Sequence, residues 1–408
     1  MRIEEGLARP GLPLALLSAV VVPQVGLGVI VPASTSLAAQ LGVALAQVQN
    51  TLVLYMVGYA LSVIFAGLLC DRFGPRQVQL GGLLLATLGT ALAACATSFM
   101  PFMLGRLLQA LGGCVGTVTT RLVVREAFAE GQRMRMLTTL ASAIAVTPCL
   151  APLLGGVLLP YVGWRGVLVL VGVFNLLVWV LCWRLIPALP LPRQATGSPL
   201  AIARVYLRNL RNGAFTYYAA CISLVWMSYF GFLSSSAYAF QVLLGFGEFE
   251  YGALIATCAL GYVSGSFLAR RMSRRHDLAR ILAVGAWVGG LGGVGLLLAI
   301  TWAGQVVVAF VMPMMAILLS TGMVIPASQA GLLRCLQQDV GVSTGQFFCL
   351  QMLSGAAYGL LASHWPQLDV WQLALLVGAP VLLLAGLVGA ASGHRRIRSR
   401  AARSAAWH

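Results

Sequence analysis

The fold class predicted by the sequence is an all-α membrane protein of about twelve spanning helices, in two pseudo-symmetric halves of about six. Three observations predict it. Hydrophobic residues make up 60% of the chain and charged residues only 9%, with a mean hydropathy of +0.90, whereas ordinary soluble domains carry roughly a quarter charged residues. Apolar stretches of the roughly 20 residues that cross a bilayer recur along the whole length. All 26 basic residues are Arg, and they gather in alternate gaps between those stretches, the positive-inside pattern.

The spans are expected near 12–34, 49–70, 77–97, 101–124, 136–160, 165–186, 214–240, 249–269, 279–299, 304–330, 341–363 and 371–391. Arg2 and Arg9 precede the first, Arg72 and Arg76 follow the second, and Arg121 to Arg135 follow the fourth. Arg184 to Arg211 separate the sixth from the seventh, and Arg270 to Arg280, Arg334 and Arg395 to Arg403 fill the later gaps of the same parity. Arg106 and Arg165 fall elsewhere, at helix ends. This parity puts both termini in the cytoplasm and assigns the net charge of +16 to topology rather than to nucleic acid. The opening Met1–Pro10 leads straight into a full-length span and lacks the form of a cleavable signal.

Residues 187–213, rich in Pro and Arg, read as a cytoplasmic linker between the halves 1–186 and 214–393, with 394–408 a basic tail. The segment from Gly67 to Arg76 has a weaker echo from Gly265 to Arg274, close to half the chain later, as parallel repeats would give. Nine Cys stand singly, without a CxxC or a Cys/His cluster, so no disulfide framework, metal site or cofactor is expected. Converging His, Asp or Glu within the spans would be needed for a membrane enzyme, and none is found. The ten acids are Glu4, Glu5, Asp71, Glu126, Glu130, Glu248, Glu250, Asp277, Asp339 and Asp369, all expected at helix ends or in loops.

Four motifs carry chemistry. After the second span, Gly67, Asp71, Arg72, Gly74 and Arg76 put an acid at a helix end beside two bases, a charge latch whose glycines allow a tight turn and close approach. The fourth span holds Arg106, Gln109 and Gly112 and closes with Arg121, Arg125 and Glu126, the two Arg four apart on one face. The fifth holds Thr147, Pro148, Ala151, Pro152, Gly155 and Gly156, prolines that kink the helix and glycines that admit a neighbour. Gly163-Trp164-Arg165 opens the sixth, with the indole expected in the interfacial belt.

Together these motifs resemble the major facilitator superfamily, and within it the Bcr/CflA (bicyclomycin-resistance) drug:proton antiporters. The resemblance implies a multi-pass exporter in the bacterial inner membrane, one chain sufficing, that moves a drug or secondary metabolite, siderophores included, by alternating access against protons. It gives Arg106 a part in proton transfer or substrate contact and makes the fifth-span motif a hinge favouring export, although Thr147 and Ala151 stand where that motif has glycines. The departure is in the first span: the family commonly has an Asp four residues before Pro32, and this chain has Gly28. Asp71, Glu126 and His364 are then the remaining titrating candidates.

Inward-facing polar candidates for the cavity are Gln24, Asn50, Tyr55, Tyr59, Arg106, Thr117 and Thr120, then Tyr229, Ser234 to Ser236, Tyr238, Gln346, Gln351 and Tyr358. One Arg without a carboxylate favours neutral or anionic cargo over lipophilic cations. Two alternatives stay open: a facilitator that needs no titrating group, and a transporter-like membrane sensor.

Overall fold

The computed structural model describes residues 11–187, 189, 199–303, 307–335, 340–363 and 370–405. Helix α1 (Leu12–Gly28) passes through a 3-10 turn at Val31–Ala33 into α2 (Ser34–Leu41). Then come α3 (Leu45–Phe73), α4 (Pro75–Ala94), α5 (Phe99–Gly113), α6 (Gly116–Ala127), α7 (Glu130–Leu185) and α8 (Pro199–Leu210). The rest are α9 (Gly213–Ala237) with a π turn at Tyr238–Leu243, α10 (Glu248–Met272), α11 (Leu278–Ala303), α12 (Val307–Cys335), α13 (Val340–Ser363) and α14 (Val370–Ala405). Among the described residues, ten helices are long and apolar enough to cross a membrane.

The chain differs from its expected pattern in three places, and the break between the fifth and sixth spans falls where it was expected. The fourth expected span is two helices, α5 and α6, meeting at Cys114–Val115. The fifth and sixth expected spans both lie in α7, which breaks between them at Gly163 with φ 63°, a backbone that costs a side-chain-bearing residue steric strain. The expected linker contains a helix of its own, α8, and α14 continues to Ala405 where a basic tail was expected. Caps explain several boundaries: Gly42 and Gly74 end α2 and α3 at positive φ, and the Asn212 side chain accepts from the amides of Ala214 and Phe215 to start α9.

Packing divides into two sets. In the first, α1 packs on α7, α3 on α5, and α4 on α5 and α7. In the second, α9 packs on α12, α13 and α14, α12 also takes α10 and α11, and α11 takes α14. The sets meet along α3 with α13 and along α7 with α10. Lipid tails are as apolar as Leu, so these contacts are held by close van der Waals fit, which favours small residues.

The Gly163-Trp164-Arg165 motif clamps one end of the first set. The Trp164 Nε1–H donates to Gln40 Oε1 at 2.8 Å, and Arg165 donates to Gln40 Oε1 and to the Ala96 carbonyl at 3.0 Å each. Trp164 is buried edge-on against Phe102, so its ring faces protein. Its indole N–H finds a protein acceptor, which removes the reason to reach for headgroups.

Candidate functional site

The interior of the first set is built around one charge. Arg106 is 0% exposed in the middle of α5, not at a helix end as the sequence suggested. A guanidinium at that depth costs at least about 2.5 kcal/mol before compensation. Its Nη1 donates to the Gly26 carbonyl at 2.7 Å and to Gln109 Oε1 at 2.5 Å, and the Tyr55 ring lies 4.7 Å from its carbon. The Tyr55 hydroxyl donates to the Pro23 carbonyl at 2.9 Å, which fixes that ring. Nε and Nη2 of Arg106 and Nε2 of Gln109 are buried without a partner.

A second strand of polar groups runs beside it. The Tyr59 and Thr117 hydroxyls share a 2.8 Å hydrogen bond, Gln24 lies beside Tyr59, and Arg121 donates to the Thr117 carbonyl. Arg121 also stacks over the Phe348 ring at 5.0 Å, a contact between the sets. Of the residues singled out in the sequence, the structure thus brings together Gln24, Tyr55, Tyr59, Arg106, Gln109, Thr117 and Arg121.

The others serve elsewhere. The Gln346 amide accepts from Asn209 at 2.9 Å and donates to the Tyr206 carbonyl at 3.0 Å, so it ties α13 to α8 rather than lining a cavity. Tyr358 donates to the Leu376 carbonyl of α14 at 2.7 Å. Tyr229 packs on Trp226, Tyr238 is half-buried in the π turn, and Gln351 is buried with an unpartnered Oε1. Asn50 is half-buried with its Oδ1 unpartnered, and Thr120 turns back onto the Gly116 carbonyl. Ser236 bonds to Tyr251 at 2.6 Å, and Ser234 to the Gly231 carbonyl.

In the loop motif, Gly74 makes the turn, but a Cβ on Gly67 would meet nothing within 4 Å, so no close helix approach requires that glycine. Arg76 donates to the Trp183 carbonyl at 2.8 Å, Arg72 stacks on Phe73, and Arg125 pairs with Glu126 at 2.9 Å. The described acids Asp71, Glu126, Glu130, Glu248, Glu250 and Asp277 stand at helix ends or in loops. His364, Asp339 and Asp369 lie outside the described residues, as does the Pro148 side chain.

The fifth-span motif is where three helices converge. A Cβ on Gly155 would fall 2.0 Å from the Val29 carbonyl at the end of α1. One on Gly156 would fall 2.8 Å from the Glu248 carbonyl and 3.2 Å from Gly252 in α10, and Gly252 approaches Pro152 in turn. One on Gly28 would meet Ala151 at 3.0 Å and Pro152 at 3.4 Å. The position that looked like a lost acid is a packing contact with the motif. Thr147 turns its hydroxyl back onto the Ala143 carbonyl.

Sequence reading missed Gly26, whose Cβ would point at Tyr55 Oη and Gln109 Nε2 at 2.9 and 3.2 Å. It also missed Gln241, in the π turn, which donates to the Pro32 carbonyl at 2.8 Å and accepts from Thr35 at 3.3 Å. That pair joins the two sets at the arginine-poor end. A π turn, frequent at functional places, was not legible in a run of apolar residues.

Comparison with known proteins places this geometry. The family model described as Major Facilitator Superfamily matches residues 16–359. The chain is 29% identical over 382 residues to the chloramphenicol resistance protein of Pseudomonas aeruginosa, covering 91% of this chain and 88% of that one. It is 22% identical to a bicyclomycin resistance protein homolog of Haemophilus influenzae, covering 91% and 93%. To the multidrug transporter MdfA of Edwardsiella piscicida it is 25% identical over 68% of each chain. In fold it is similar to the crystal structure of a D-xylose-proton symporter, with a TM-score of 0.73 at 13% identity over 93% of this chain and 96% of that one. A peptide transporter bound to sulfate gives 0.75 at 13% identity over 95% of each.

Proposed function

The chain belongs to the major facilitator superfamily, and from that premise we propose that it is a bacterial inner-membrane exporter of a small drug-like or secondary metabolite. The reading has twelve spans in two six-helix halves, 1–186 and 214–393, with both termini cytoplasmic. Relatives named for resistance to chloramphenicol and bicyclomycin support export of a small molecule. The observation that carries alternating access is the glycine-lined convergence at Pro152, Gly155 and Gly156, where α7 touches α1 on one side and α10 on the other. A helix that seats two partners through backbone contact can roll between them with little side-chain repacking.

Proton coupling is part of this proposal, routed through Asp71 or Glu126 near the arginine-rich end. A second reading has a specific observation in its favour: the described acids stand at helix ends, and the buried charge is Arg106. A carrier of anionic cargo needs no titrating group. The interior-negative membrane potential drives each exported negative charge with about 2.3 kcal/mol per 100 mV.

Efflux from proteoliposomes with an imposed pH gradient or an imposed potential separates the two. A neutral antibiotic and a carboxylate siderophore serve as test cargo. Export that collapses with protonophore and survives a clamped potential supports coupling through Asp71 or Glu126. Export that follows the potential and ignores the pH gradient supports the anion carrier. No flux under either condition overturns both and leaves a sensor.

A further inference from the structure

We propose that Arg106 and Gln109 form an oxyanion site that grips a carboxylate side-on through the free edge of the guanidinium. Nη1 spends both hydrogens, on the Gly26 carbonyl and on Gln109 Oε1. The nitrogens left over are Nε and Nη2, which share one edge of the planar group and point their N–H bonds the same way. That edge matches the two oxygens of a carboxylate, and such bidentate pairs are the strong, directional ones. Gln109 Nε2 adds a further donor beside it. The three unpartnered groups are all donors, and an acceptor is what satisfies them.

Tyr55 covers one face of the guanidinium at 4.7 Å and is itself held by Pro23, which leaves the edge as the direction of approach. Besides Tyr55, the ionisable neighbour facing Arg106 is Cys114, and neither is a carboxylate. The protein therefore supplies the positive half of an ion pair and leaves the negative half to its ligand. Gly26 lets Tyr55 and Gln109 close in on the guanidinium, because a Cβ there would fall 2.9 Å from Tyr55 Oη and 3.2 Å from Gln109 Nε2. The site deepens the export reading by naming the cargo's recognised group, and the same donors could instead hold an inorganic anion.

The test is equilibrium binding to the purified full-length protein in nanodiscs, which does not depend on transport. Benzoate and chloride are titrated separately in a low-salt buffer that contains no other carboxylate, followed by calorimetry. The expected result is saturable binding of benzoate at least tenfold tighter than of chloride. Arg106→Gln should weaken benzoate at least a hundredfold and Arg106→Lys about tenfold, since Lys keeps the charge but loses the edge. Gly26→Asp keeps Arg106 and supplies a carboxylate from within, so it should also abolish benzoate binding. Chloride binding as tight as benzoate would overturn the carboxylate assignment in favour of an inorganic counterion. Absence of binding by the parent, or benzoate affinity unchanged in Arg106→Gln and Gly26→Asp, would overturn the site. Failure of efflux with binding intact would strike the export reading alone.

Discussion

The two helical sets handle buried polarity in opposite ways. In the second set, polar side chains are discharged onto neighbouring backbone or onto one another: Ser228 on the Val377 carbonyl, Tyr358 on Leu376, Ser266 on Gly322, Ser236 on Tyr251. What stays unpartnered there is neutral, as at Ser235, Ser320 and Gln351. The first set keeps a buried cation with three of its five N–H donors unspent. On the proposal above, the first set recognises the ligand and the second serves as its wall. Unspent donors in a dry interior cost stability, roughly 1–3 kcal/mol for each group, and that cost is tolerable where a ligand offsets it.

The largest test of this contrast removes the cation. Arg106→Gln should reduce export at least about a hundredfold, because a lost charged hydrogen-bond partner is worth several kcal/mol in a dry site. Tyr358→Phe, which removes a single neutral bond to Leu376, should change export less than about threefold and stability by about 1 kcal/mol. Parallel efflux rates from matched amounts of reconstituted protein decide it. Comparable losses in both variants would erase the distinction between recognition and wall.

The next test bears on packing at the family's motif. Gly28→Asp should destabilise by about 1–3 kcal/mol through overpacking on Ala151. Ala151→Gly in the same chain should recover more than half of it, read as the coupling in a double-mutant cycle of thermal stability. Additive effects would mean that the two positions are independent, and that Gly28 is a lost acid with no packing reason.

That pair also shows how far the sequence could be read. The membrane class, the arginine parity and the family were legible because composition, spacing and motifs are local properties. Gly28 and Ala151 were each legible as departures from a pattern, but not as one contact, since they lie on helices distant in the chain and meet only by packing. Arg106 was legible as unusual and was misplaced to a helix end, because a linear count cannot tell depth in a bundle from nearness to a gap. Gln346 read as a cavity amide because nothing in the linker announced that Asn209 and Tyr206 would sit on an extra helix and take both ends of it. The glycine at 26 carries no side chain to notice, and its meaning is the close approach it allows Tyr55 and Gln109.

The smallest predicted effects concern the contacts that bind the two sets at opposite ends. Gln241 reaches Pro32 and Thr35 at the arginine-poor end, while Arg121 stacks on Phe348 toward the arginine-rich end. Each is worth about 1 kcal/mol, two neutral hydrogen bonds on one side and a partly shielded cation–π contact on the other. One kcal/mol moves a two-state equilibrium about fivefold. Gln241→Ala should therefore raise the population open at the arginine-poor end about fivefold, and Phe348→Leu should shift the balance the other way by a similar factor. The two together should nearly cancel. Spin-label distances across each end of the bundle give the populations directly. If both variants shift the populations in the same direction, the contacts are general packing rather than opposed latches, and the two ends would not be the alternating gates that exchange between the sets requires.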